Sequence, residues 1–207
     1  MKKLKKSATI WTILGVSSLG LVIAYILFRY WKEDIQAQEL NPDSPIPMDH
    51  SDTSGEMDII NKYRSLRQVA NANNVIDENY IMMLMAQAMH ETAEDNGEGT
   101  YVPFTSHVFE TNNNAFGMRQ PSTRKTTSLG DMGGYASYTS FEDSVTDRIL
   151  WDNAKNIQQV ANSTDKDGVK TFVTTLKDHS YFTASYLEYF SGVNKFMGVL
   201  KSLLAGG

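Results

Sequence analysis

The feature that most restricts how this chain can fold is the segment YIMMLMAQAM, residues 80–89, in which nine of ten side chains are apolar or aromatic. A helix that is apolar on every side lies inside a core rather than on a surface. Asp77 offers an N-cap before the segment, and Gly97 and Gly99 offer stop signals after it. The segment therefore predicts a buried central helix.

The segments around this helix predict a mainly α domain with one irregular lobe. Apolar residues at helical spacing, or capping residues such as Ser140 followed by Asp143, mark four further helices. These helices are predicted over residues 56–74, 140–162, 167–180 and 183–204. Residues 101–140, here called the irregular lobe, are rich in Gly, Asn, Ser and Thr and predict at most one or two short hairpins.

A second long apolar segment lies near the N-terminus, with no charged residue between Ala8 and Phe28. A helix of that length spans roughly 31 Å, which is close to the hydrocarbon thickness of a bilayer. Trp11 and Tyr25 lie near its ends, as interfacial anchors do. A cleaved signal peptide would have a shorter apolar region and a small-residue cleavage site. We therefore predict a retained transmembrane helix over residues 8–31, with the lipid bilayer as its partner.

The remaining organisation follows from charge and proline content. Residues 1–7 carry four lysines and predict that the N-terminus stays inside while the body lies outside. Residues 32–56 contain three of the five prolines and predict a flexible linker. Residues 57–207 are long enough for one domain with a core and a cleft.

Charge and composition exclude several classes of function. The first 32 residues hold six basic and no acidic residues, so the remainder has 13 basic against 24 acidic residues and a net charge of −11. Such an acidic body is a poor nucleic-acid partner, because that affinity comes from basic residues on phosphates. The chain has no cysteine, and its four histidines lack the HxxxH spacing of a zinc helix. No metal or other cofactor is predicted.

Glu91 is the candidate catalytic group, because it follows the apolar segment directly. Partial burial and the negative end of a helix dipole should both raise the pKa of this carboxyl. A carboxyl that stays protonated near neutral pH can act as a general acid, and glycoside cleavage commonly uses one. Position alone favours the simpler interpretation that Glu91 is the first solvated residue after a core helix.

Four blocks of the sequence resemble one enzyme family. AQAMHET (86–92) is similar to the AQAxxES signature of bacterial peptidoglycan glucosaminidases, glycoside hydrolase family 73, in the lysozyme-like superfamily. NNNAFGMR (112–119) resembles the N-L/Y-F-G-I/M-K/R segment of that family. The stretches 126–151 and 176–190 resemble its Y-x-S-x-x-x-S-v-x-D and L…YATDPxYxxKI segments. The blocks occur in family order and cover about residues 60–200.

The resemblance implies a lysozyme-like helical domain with a substrate groove between its helical part and the irregular lobe. Glu91 would be the general acid of an endo-N-acetylglucosaminidase that cleaves the β-1,4 bond after N-acetylglucosamine in the peptidoglycan glycan strand. Residues at the motif positions would shape the groove or stack on sugars. These substrate-binding candidates are Asn114, Phe116, Gly117, Tyr135, Tyr138 and Tyr181.

The second catalytic group is less defined, because the segment after Glu91 departs from the family pattern. The usual ESGWG is ETAEDNG here, and ATDP is replaced by FTAS. Asp131, the only carboxylate between Met118 and Tyr135, is the candidate for positioning water or stabilising positive charge. It could instead be a turn residue in LGDMGG, and a route through the N-acetyl group of the substrate would need no second carboxylate.

Two other functions stay open at this point. A lytic transglycosylase would use Glu91 as its acid in the same way but would form a different product. The altered turn after Glu91 is compatible with an inactive peptidoglycan-binding module. Arg119, Arg124 and Lys125 could contact carboxylates of the peptide stem or form a solvated loop. A membrane-anchored wall hydrolase would suit envelope remodelling, or phage entry or lysis from a virion or bacterial inner membrane.

Overall fold

The protein, described by a computed structural model over residues 53–97 and 99–206, is built mainly from helices. The helices of this part of the chain are α1 (Thr53–Ala72), α2 (Glu78–Glu91), α3 (His107–Asn112), α4 (Phe141–Lys155), α5 (Lys166–Asp178) and α6 (Tyr186–Ala205), with a 3-10 helix over Ile157–Val160. The strands are β1 (Glu94–Asp95), β2 (Tyr101–Val102), β3 (Gly130–Met132) and β4 (Tyr135–Ser137). The mainly α class predicted from the sequence is confirmed.

The apolar segment forms α2, the central helix of the core. Every side chain from Tyr80 to Met89 is buried except that of Met82. The helix packs most extensively against α6 and also contacts α1. The Asp77 carboxylate accepts two N–H groups of the first turn at 2.9 and 3.2 Å, which confirms the predicted N-cap.

The end of α2 lies earlier than the predicted glycine stop signals, at Glu91. Thr92 follows as the C-cap and is almost fully buried. Its hydroxyl donates to the Ala88 carbonyl at 2.6 Å and accepts the N–H of Phe104 at 3.0 Å. This turn ties the helix end to the irregular lobe, so Glu91 is held at the last helical position rather than in a mobile loop.

The N-terminal boundary of the helical body also differs from the prediction. Helix α1 begins at Thr53, so the last residues of the predicted linker, 32–56, are helical. An acidic residue, Glu56, lies in the first turn, where it favours helix formation through the dipole. The predicted basic segment 1–7 and transmembrane helix 8–31 lie outside the described residues. Within residues 53–97 and 99–206, no helix combines the length and apolar character needed to cross a membrane.

The irregular lobe contains little regular structure, as predicted. Strands β3 and β4 pair antiparallel in one short hairpin within the lobe, and β2 pairs antiparallel with β1, which precedes the lobe. Helix α3, capped by the Ser106 hydroxyl, was not predicted because six residues are too few to show helical periodicity. The side chain of Ser140 caps α4 through the Asp143 N–H at 3.2 Å, as predicted.

Two glycines in helices provide a test of this packing. A Cβ added at Gly168, in the first turn of α5, would lie 1.9 Å from the Ser163 carbonyl oxygen. Gly168→Ala should therefore lower the free energy of unfolding by about 2–3 kcal/mol, because backbone must move.

Gly198, exposed on α6, has nothing within 4 Å of such a Cβ. Gly198→Ala should stabilise by roughly 0.5–1 kcal/mol.

Urea denaturation of the two variants measures both effects. Equal stability of Gly168→Ala and the wild type would contradict the described contact between α5 and the preceding loop.

Candidate active site

A cleft of about 460 Å³ opens where the end of α2 faces the irregular lobe. Its walls come from the end of α2, from β1, from the start of α3, from the loop after α3, from the start of β4 and from the region around the start of α6. The residues that line it are His90, Glu91, Glu94, Ser106, His107, Val108, Asn114, Phe116, Gly117, Arg119, Tyr135, Tyr181, Phe182, Thr183, Ala184 and Tyr189. The cleft therefore includes Glu91 and five of the six predicted substrate-binding residues.

Glu91 is held in the cleft by a directed chain of hydrogen bonds. The Tyr189 hydroxyl donates to Glu91 Oε1 at 2.5 Å. The same hydroxyl accepts from Nε2 of Gln87 at 2.7 Å, and Gln87 is fully buried one turn earlier on α2. The Gln87 amide nitrogen can only donate, so the Tyr189 oxygen is the acceptor of that bond. The phenolic hydrogen of Tyr189 is therefore directed to the Glu91 carboxylate.

The pKa of Glu91 is raised from 4.5 to about 7. Burial of the carboxyl is the dominant cause, and the hydrogen bond from Tyr189, the charge of Arg148 and the amide of Gln87 act in the opposite direction. The predicted direction of the shift is thereby confirmed. A group balanced in this way is partly protonated at neutral pH and can both give and receive a proton.

Arg148, on α4, supplies a permanent positive charge behind the cleft. Its side chain is fully buried, and its Nε donates to Asp152 at 3.0 Å. The guanidinium carbon lies 4.3 Å from the ring centre of Tyr181 and 5.6 Å from that of Phe116. Both rings line the cleft, so the cation acts on Glu91 through the aromatic wall while staying out of solvent.

Gly117 lies directly against the catalytic candidate. It adopts a left-handed backbone with φ of 59°, and a Cβ there would lie 3.2 Å from Glu91 Oε2. A side chain at this position would therefore press on the carboxyl and fill the space in front of it. The carbonyl of the preceding residue, Phe116, accepts a hydrogen bond from the Tyr181 hydroxyl, which joins the loop to the opposite wall.

Asn114 supports the cleft from within its loop. Its carbonyl oxygen accepts the N–H groups of Phe116 and Met118 at 3.3 and 3.0 Å. Its amide nitrogen donates to the carbonyls of Met118 and Ala136 at 2.9 and 2.8 Å. All its hydrogen-bonding capacity is used, so Asn114 shapes the groove wall rather than offering a polar group to a ligand.

Tyr138 does not reach the cleft. It is buried, and its hydroxyl donates to Asp147 Oδ2 at 2.8 Å. Side chains alternate along β4 and its extension, so Tyr138 shares the buried face of Ala136 while Tyr135 lies on the other face. Tyr135, and not Tyr138, is therefore the aromatic residue that this strand places in the cleft.

Asp131 is also absent from the cleft lining. It lies exposed on β3, and its carboxylate accepts the Gly134 N–H at 3.1 Å across the hairpin turn. This is the turn role that its glycine neighbours favour. Glu94, on β1, does line the cleft, and its Oε1 accepts the N–H of His107 at 3.0 Å. Glu94 is thus the second cleft carboxylate among the described residues.

Aromatic and imidazole rings complete the wall around Glu91. Phe182 stacks on Tyr189 with 3.8 Å between ring centres, and His90 meets Tyr189 edge-on at 4.8 Å. Burial lowers the pKa of His90 to about 4, so this imidazole is neutral at neutral pH. The sequence analysis did not identify Phe182, Tyr189 or Glu94 as groove residues.

Comparisons of this chain with family models, with curated proteins and with solved structures found no match. Within residues 53–97 and 99–206, no cluster of three or more histidine and carboxylate side chains is placed to hold a metal ion. The chemistry of the cleft itself therefore carries the functional assignment.

The hydrogen bond from Tyr189 provides the first test of this site. Tyr189→Phe removes a donor that favours the ionised carboxylate, so the pKa of Glu91 should rise above about 7. A carboxyl-carbon NMR titration of the glutamates measures this shift. Tyr186→Phe is the matched control, because Tyr186 lies on the same helix and its hydroxyl faces Lys170 and Thr174. A Glu91 pKa unchanged in Tyr189→Phe would contradict the described contact.

The raised pKa of Glu91 also predicts how stability depends on pH. Between about 4.5 and 7 the folded state holds a proton that the unfolded state releases, so the free energy of unfolding should fall as pH rises. Glu91→Gln has no ionisable carboxyl at this position, so it should not show this fall in the free energy of unfolding. The variant should exceed the wild type in stability at pH 8 by up to about 3 kcal/mol.

Below the unfolded-state pKa the carboxyl is neutral in both states, so the two proteins should then be similar in stability. Urea denaturation across the pH range measures the difference, and a constant difference between the two proteins would refute the assigned pKa.

Proposed function

We propose that the protein is a lysozyme-like glycoside hydrolase that cleaves the β-1,4 bond after N-acetylglucosamine in the peptidoglycan glycan strand, with Glu91 as the general acid. The observation that carries this proposal is a half-buried carboxyl, with a pKa of about 7, that faces a cleft lined by aromatic side chains. The four sequence blocks that resemble peptidoglycan glucosaminidases support the same assignment.

In this proposal Glu91 gives its proton to the bridging oxygen as the bond from that oxygen to the anomeric carbon breaks. Positive charge then develops on the sugar, and the carboxylate that remains is stabilised by the Tyr189 hydroxyl and by the field of Arg148. Tyr135, Tyr181 and Phe182 offer ring faces or edges to the apolar sides of sugars. The aromatic wall also limits water around the acid, which maintains its raised pKa.

For the second catalytic group we propose Glu94 in place of Asp131. Glu94 lines the cleft and is held by the N–H of His107, whereas the carboxylate of Asp131 closes a hairpin turn. As an exposed carboxylate, Glu94 is suited to orient a water molecule or to stabilise positive charge on the sugar. The substrate-assisted route through the N-acetyl group competes with this role and would make Glu94 dispensable.

The setting that we propose is the face of a membrane next to the cell wall. It rests on the predicted transmembrane helix over residues 8–31 and on the predicted linker, which together would hold the cleft near the wall. The body would lie on the wall side of a bacterial inner membrane, or on the outside of a virion membrane, with the N-terminus inside.

Purified full-length protein incubated with peptidoglycan tests the activity. The wild type should release new reducing ends of N-acetylglucosamine, and Glu91→Gln should lower the rate by at least about 1,000-fold. Because the protonated acid is the active form, the rate should fall as pH rises above about 7. Anhydromuramyl products would instead identify a lytic transglycosylase.

Variants of the other two carboxylates separate the routes. Glu94→Gln should lower the rate by roughly 10- to 100-fold if Glu94 assists the reaction, and Asp131→Asn, the matched control, should leave it near the wild-type value. Full activity of Glu91→Gln would refute the mechanism. Binding to wall sacculi without any released product would identify the protein as a binding module.

A further inference from the structure

We propose that Arg119 forms a carboxylate-binding subsite in the cleft, so that the preferred glycan carries an acidic substituent next to the bond that is cleaved. This inference rests on the proposed function, because it assigns a substrate class to the same cleft. Peptidoglycan carries such a carboxylate on its muramic acid residues, either on the lactyl group itself or on the attached peptide. Chitin, which has the same backbone linkage, carries none.

The guanidinium of Arg119 is held in place by two contacts with the β3–β4 hairpin. Its carbon lies 4.2 Å from the centre of the Tyr135 ring, and its Nη1 donates to the Gly134 carbonyl. A planar group fixed by stacking and by a backbone hydrogen bond loses less conformational freedom when it binds a ligand. The remaining N–H groups are the ones suited to a carboxylate, which a guanidinium binds through paired hydrogen bonds.

Arg119 has no carboxylate partner among the described residues. Across the described ranges 53–97 and 99–206, the ion pairs do not include Arg119. Arg124, a neighbour in sequence, differs in this respect because both its terminal nitrogens bind Asp147, at 2.6 and 2.7 Å. Among the described cleft residues, Arg119 is the one lysine or arginine, and it faces a cleft that also holds two carboxylates.

The position of Arg119 relates the subsite to the reacting bond. Gly117 lies against Glu91 Oε2, and Arg119 follows two residues later. Two residues of chain separate their Cα atoms by at most about 7 Å, a length comparable to one sugar residue. Since Arg119 and Glu91 line the same cleft, a carboxylate bound by Arg119 would belong to a sugar at or near the cleavage site.

Calorimetry with three glycans of equal length tests the subsite. The ligands are chitotetraose, an alternating glucosamine–muramic tetrasaccharide with free lactyl carboxylates, and the same tetrasaccharide with peptides on the lactyl groups. All proteins carry Glu91→Gln, so that no ligand is cleaved, and are used as the full-length chain in mild detergent. Arg119→Gln is compared with Lys125→Gln, an exposed charge on the same loop that does not line the cleft.

We expect at least one acidic ligand to bind about fivefold or more tightly than chitotetraose, as for a charge-assisted contact at a partly exposed site. Arg119→Gln should abolish this preference, and Lys125→Gln should preserve it. Which of the acidic ligands is preferred identifies the lactyl group or the peptide as the source of the carboxylate.

Equal affinity for all three ligands, or a preference that survives Arg119→Gln, would overturn the subsite while glycan binding stands. Failure of all three ligands to bind would overturn the proposed function, and the subsite with it.

Discussion

The burial of α2 is the constraint on which the rest of the structure depends. Its side chains from Tyr80 to Met89 contact the core on nearly every side, so the helix cannot rotate or slide without exposing apolar surface. The Thr92 turn then fixes where it ends. Glu91 follows this buried segment directly, so the packing of the whole core determines its position. It needs no rigid loop of its own to hold it there.

Burial and nearby polar groups act in opposite directions on the protonation of Glu91, and burial dominates. Burial raises the pKa of the carboxyl, while the Tyr189 hydroxyl, the charge of Arg148 and the Gln87 amide lower it, and the result is a pKa of about 7. Each of these groups is itself held inside the protein, Tyr189 by Gln87 and Arg148 by Asp152. The acidity of the cleft is therefore a property of the packed core, and changes away from the cleft surface should alter it.

The sequence was sufficient where a local pattern decides the structure. The apolar run predicted a buried helix, and the caps at Asp77 and Ser140 predicted where helices begin, because those bonds form within a few residues. The raised pKa of Glu91 followed from the same burial. These features need no knowledge of which distant segments meet.

The sequence was insufficient where distant segments decide the outcome. Glu94 and Asp131 are both carboxylates near turns, and only the fold shows that Glu94 lines the cleft while Asp131 bonds to its own hairpin. Tyr135 and Tyr138 lie close in sequence, and the phase of β4 sends them to opposite faces. Tyr189 is one of several tyrosines in its block, and its bond to Glu91 spans 98 residues of sequence.

The hydrogen bond from Tyr189 also makes the two oxygens of Glu91 unequal. Oε1 is occupied by the phenol, while Oε2 faces the space that Gly117 leaves by lacking a side chain. When the carboxyl is neutral, its hydrogen therefore belongs on Oε2, the oxygen on the open side. The direction from which a proton can leave this acid is thus fixed by a tyrosine on one side and by a missing methyl group on the other.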